Sequence, residues 1–101
     1  MEVDDKKLQQ AKILSETARI PWRDLQRFFA SGAVVAVDRA LDLVEVACAL
    51  AADDKAQVET WMAAGLVAPA RDDQASEWFA ADSLMWAVVL SPFVLVQPID
   101  K

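Results

Sequence analysis

From Ser83 to Ile99 the chain runs seventeen residues without a charged side chain, and Ser91-Pro92 divides that run in two. Its length approaches that of a membrane-spanning helix. But Pro92 interrupts it and Pro98 stands near its end, so two strands are expected, Leu84 to Leu90 and Phe93 to Gln97. Both blocks are apolar on both alternating sets of side chains, the pattern of strands buried on two faces. A chain holding two such strands must cover both sides of a sheet. With 101 residues there is material for one domain and no more.

The rest of the chain offers helices and short strands for that purpose. Residues 4–19 read as a helix with Leu8, Ala11, Leu14 and Ala18 on one stripe. Its first part, residues 1–14, is expected to be loosely attached. Pro21 pushes Ile20 out of the helical region and suits the first turn of a second helix. That helix presents Trp22, Leu25, Phe28 and Phe29 and ends at Gly32. Residues 33–37 are short, β-branched and bounded by Gly32 and Asp38, hence a strand. After a turn at 38–40, residues 41–51 alternate Val44, Val46, Cys48 and Leu50, which predicts a second strand and a hairpin. The alanines there leave a helix open.

Asp54 with Gln57 three residues on predicts a helix cap, followed by a stripe of Val58, Trp61 and Met62 and a stop at Gly65. Residues 66–68 are a short strand or a link. Asp72-Asp73 starts a further helix to about Ala81 with Ala75, Trp78 and Phe79 inward, and Asp82-Ser83 breaks it. The expected fold is therefore a single α+β domain over residues 1–101. A mainly antiparallel sheet of four or five strands packs with about four short helices.

Composition removes many chemistries. There is no histidine and one cysteine, Cys48, so neither a Ser-His-Asp triad nor a His/Cys zinc site can be built within the chain. Only Gly32 and Gly65 are glycines, and no phosphate-binding loop exists. The net charge is −6. Residues 1–32 carry a net +1 and the remainder −7, a balance that argues against general nucleic-acid binding and admits a basic protein partner. The start of the chain has no apolar stretch of signal-peptide length, and a lone cysteine suits a reducing compartment, so a cytoplasmic location is expected.

A few residues stand out as candidates. Asp53, Asp54, Asp72 and Asp73 are weak metal candidates, because hard cations take carboxylate oxygens. Acids at helix starts serve first as caps and dipole partners. Arg23 and Arg27 share a helix face beside Trp22 and form a candidate anion or nucleic-acid patch, with salt bridges to the chain's own acids as the plainer reading. Glu45 stands inside an apolar segment. A buried carboxylate would be a proton-transfer candidate, but the alternation with Val44 and Val46 points it to the wet side. Cys48 beside Val44 and Val46 reads as an inert apolar thiol. Asp42 reads as a turn residue or a partner for Arg39. Trp22, Trp61, Trp78 and Trp86 read as core.

Several blocks in order carry a resemblance: Glu16-Thr17-Ala18-Arg19-Ile20-Pro21-Trp22 into Phe28-Phe29-Ala30, then Leu41 to Ala47, then Asp73-Gln74-Ala75 with Trp78, then Trp86 to Val89 and Pro92 to Gln97. Across residues 15–97 the chain resembles the small bacterial proteins grouped as domain-of-unknown-function family 2288. The resemblance implies a bacterial, cytoplasmic, stand-alone domain and brings no catalytic or binding residue. The reading that follows is a non-enzymatic protein–protein interaction module acting as a homodimer, with no cofactor and no membrane span. Trp22, Arg23, Arg27, Trp86 and Phe93 are its candidate contact residues. The alternatives are a small-ligand or carboxylate-metal enzyme and a regulator touching nucleic acid through Arg23 and Arg27.

Overall fold

The computed structural model describes residues 5–90 and 92–99. The expected helix start at Asp4 and half of the Ser91-Pro92 break lie outside them. Chain order is α1 (Asp5–Glu16), β1 (Ala18–Pro21), a 3₁₀ turn (Trp22–Leu25), α2 (Gln26–Ala30), β2 (Val34–Val37), α3 (Leu43–Ala51), α4 (Lys55–Ala63), β3 (Val67–Pro69), α5 (Asp72–Ala80), β4 (Leu84–Leu90) and β5 (Phe93–Pro98). The five strands form one sheet in the order β1-β4-β5-β2-β3. All pairs are antiparallel except β2 with β5.

The uncharged run behaves as its pattern predicts. β4 and β5 pair as a hairpin in the register Leu90↔Phe93, Val88↔Leu95 and Trp86↔Gln97. Alternate side chains enter two separate cores. On one face Val37, Val88 and Leu95 pack under α3, α4 and α1 through Leu43, Val46, Ala47, Trp61 and Ile13. On the other, Val34, Met85, Ala87, Val94 and Val96 meet Trp22, Leu25, Ala75 and Trp78. Trp22 packs edge-on against both Trp78 and Phe29, at centroid distances of 4.9 and 5.6 Å. Helices therefore lie on both sides of the sheet, called here the α3 face and the α5 face.

Residues 43–51 are a helix, not the expected strand. Leu43, Val46, Ala47 and Leu50 repeat at helical spacing as well as the alternating set does at strand spacing. The Asp42 carboxylate tips the choice: its Oδ1 accepts from the Val44 and Glu45 N–H groups at 2.9 and 3.4 Å and caps the helix. The predicted 33–51 hairpin is therefore absent. β2 instead lies parallel to β5 (Val35↔Leu95) and antiparallel to β3 (Val35↔Pro69).

The first helix also ends earlier than expected. Thr17 Oγ1 donates to the Ile13 carbonyl at 2.7 Å, and the chain then extends into β1. β1 is a sheet edge, where Pro21 is tolerated because no ladder bond from its nitrogen is needed. Ile13, not Leu8 or Leu14, anchors α1: it is buried, whereas those two are more than half exposed. Met62 and Phe79, expected inward, are exposed too. Gly32 and Gly65 take positive φ, 79° and 76°, and close their helices with Schellman-type bonds from Ala33 to Phe28 and from Leu66 to Trp61.

Candidate interaction surface

Strand alternation sets one corner of the α3 face. Met85 and Ala87 point to the α5 face and are buried, so Leu84 and Trp86 point the other way. Farther along β4 that face is roofed by α3, but Leu84 and Trp86 lie past the cover. They are 41% and 38% exposed, large values for such residues in a strand. The edge strand adds a cation: Arg19 is directly opposite Trp86, and its guanidinium carbon stands 5.9 Å from the indole centroid. On the other side Trp86 faces Gln97, whose Nε2 donates to the carbonyls of Asp38 and Leu41 at 2.8 and 2.6 Å. Ile99 closes the corner, its N–H bonded to the Leu84 carbonyl. The tryptophan is thus held between a tethered glutamine and a stacked arginine. Tryptophan and arginine are the residue types that dominate binding hot spots.

The other candidates are dispersed. Trp22 is 1% exposed and belongs to the core. Arg23 is solvent-facing and lies 3.9 Å from Asp82, a partner not foreseen from sequence. Arg27 sits over the Phe28 ring at 4.9 Å. Phe93 shares the α3 face with Trp86 and is exposed, but four residues farther along the hairpin, about 13 Å by strand rise. Arg19 and Leu84 were not singled out. Arg19 stands in a segment read as helix, and only the β1–β4 register brings it to Trp86.

The acidic pairs do not converge, because α4 and α5 start on opposite faces of the sheet. Asp54 caps α4, its Oδ1 accepting from Gln57 N–H at 3.3 Å. Asp53 adopts positive φ, 58°, at the α3–α4 corner. Asp72 is not a cap as expected. Arg71 holds the N-cap position of α5, and its N–H donates to Gln74 Oε1 at 3.0 Å. Asp73 instead pairs with Arg71 at 2.9 Å. The hydrogen bond from that guanidinium holds the Asp73 carboxyl below its ordinary value and raises Arg71. Among the described residues, no three metal-ligating side chains come together. Glu45 is exposed in the first turn of α3, so it does face water, though from a helix.

A concavity lies between α1, α3 and α4, a trough of about 540 Å³. Gln9 and Gln10 line it from α1, Glu45 and Cys48 from α3, Gln57 and Trp61 from α4. Cys48 is half-buried on this wall, not packed in a strand beside Val46.

No helix among the described residues is long and apolar enough to cross a membrane. The sequence model of a family described as "Protein of unknown function (DUF2288)" matches residues 8–98. PA1075 from Pseudomonas aeruginosa, solved in solution by NMR, is similar throughout: 42% identity and a TM-score of 0.82, covering 100% of this chain and 94% of that one. No curated protein matches.

Proposed function

Because the chain belongs to the DUF2288 family, which supplies no activity by kinship, we propose from its own surface that it is a protein–protein interaction module, pairing with a second copy through the Arg19–Leu84–Trp86 corner. The observation that carries this reading is Trp86, held in fixed geometry on a strand, with more than a third of its surface open beside Leu84. An isologous contact places each copy's Trp86 and Arg19 against the other's, so the same cation–aromatic chemistry serves twice.

Charge favours that corner over the rest of the surface. Two chains of net charge −6 repel each other. The corner includes β1, part of the N-terminal third that carries a net +1, whereas residues 33–101 carry −7. The sheet edges are poor alternatives, since β1 and β3 are four and three residues long and each ends in proline. A cytoplasmic setting accords with a single cysteine.

Dilution followed by amide NMR tests the location. Shift changes from millimolar to micromolar protein are expected at Arg19, Leu84, Trp86 and Ile99. Changes centred on Phe79 and α5 would place the contact elsewhere and reject this corner.

A further inference from the structure

The trough between α1, α3 and α4 lies apart from the Trp86 corner, and its lining has one chemical character. Its volume, about 540 Å³, is in the range of small-molecule sites. Among the described residues its charged groups are carboxylates: Glu45 on the α3 wall and Asp54 at the start of α4. Asp54 is already engaged as a cap through one oxygen. The Glu45 carboxylate itself takes part in no ion pair or hydrogen bond among the described residues. Gln9, Gln10 and Gln57 add carboxamide groups, and no lysine or arginine is among the described lining residues. The remaining wall is apolar: Ala49, Ala52 and the exposed margin of the Trp61 indole, which is otherwise 92% buried, its relative exposure being 8%.

A carboxylate, acceptor amides and an indole wall in one cleft are the set that recognises an organic cation. The carboxylate supplies counter-charge, the amide oxygens accept N–H donors, and the aromatic surface attracts the cation's charge and its methylenes. An anion would meet the like charge of Glu45 and Asp54 there. We propose that this trough binds a small linear organic cation, an alkylamine or alkylguanidine, with Glu45 as its counter-charge and Trp61 as its apolar wall.

Cys48 makes the test specific, because it is the chain's single cysteine and lines the same trough. The rate at which a neutral maleimide labels Cys48 is measured against increasing agmatine at low ionic strength, with sodium chloride matched for ionic strength as the control. Saturable protection by agmatine is expected, with sodium chloride giving none. Glu45→Gln, an exposed substitution that keeps size and helix propensity, should weaken the protection about tenfold, as expected for loss of a charge-assisted hydrogen bond. Amide NMR of the same titration should localise shifts to Gln9, Glu45, Cys48 and Gln57, and a tri-arginine peptide run in parallel should protect less than agmatine. Absence of protection, equal protection by sodium chloride, or unchanged protection in Glu45→Gln would each overturn the proposal. Tighter binding of the peptide would replace the small cation with a basic protein segment and overturn it as stated.

Discussion

Arg19 and Trp86 are directly opposed across β1 and β4, with the guanidinium carbon 5.9 Å from the indole centroid. The two residues are far apart in sequence, and the short edge strand β1 exists in a register that brings them together. Leu84, two residues before Trp86 and on the same face, extends the apolar surface.

Arg19→Ala should barely change folding, because an exposed cation–π contact contributes about 0.5–1 kcal/mol. It should nonetheless weaken self-association and change the fluorescence of Trp86. Urea titration and light scattering on the same samples check the two halves. A large loss of stability with unchanged association would make Arg19 a structural residue only.

Asp42 and Asp72 look alike as acids at helix starts but should behave differently. Asp42→Ala removes the side chain that accepts from Val44 and Glu45, and should cost about 0.5–2 kcal/mol. Asp72 lies within the first turn of α5, behind the Arg71 cap position, and accepts no capping bond. Asp72→Ala should therefore cost no more than a few tenths of a kcal/mol, through the helix dipole alone. Equal losses in urea denaturation would contradict the assigned caps.

Cys48 should be labelled by a thiol reagent in the native state, because it lines an open trough on α3. The labelling rate should stay flat across urea concentrations below the unfolding transition. A rate that climbs with urea in step with global unfolding would return Cys48 to the core.

The Asp73–Arg71 pair carries a pH signature of known sign. Asp73 is lowered in the folded state from its ordinary value of 3.8, so its contribution is present above that value and is lost as pH falls through the lower folded value. Both groups are solvent-exposed, so the effect is small and should shrink with added salt. Arg71→Ala should bring the Asp73 carboxyl, followed by NMR, back towards its ordinary value. No change would remove the pair from the account.

The elements legible in the sequence were those with a local cause. Gly32 and Gly65 stop helices because they accept positive φ, Asp54 caps α4, and Ser91-Pro92 divides two strands that then pair with each other. Residues 43–51 read as a strand in the sequence for a definite reason. A nine-residue segment apolar at nearly every position satisfies both a period of two and a period of 3.6. The arbiter was one polar residue, Asp42, read as a turn residue when it is a cap. β1 was missed because Ala18-Arg19 suits a helix, and only pairing with β4 makes it extended. The Trp86 corner was half visible: Trp86 and Phe93 were named from their apolar strands, but Arg19 and Leu84 depend on register and on where α3 stops covering the sheet. Neither depends on local residue type. The trough was invisible for the same reason, being formed by three helices of which one had been read as a strand.

Sedimentation equilibrium across a micromolar concentration series decides whether two copies of the chain pair through Trp86. The wild-type mass should rise towards two chains with concentration, while a Trp86→Ala protein should stay at one chain and keep its circular dichroism spectrum. A wild-type mass of one chain at every concentration, or a dimer untouched by Trp86→Ala, would contradict that pairing.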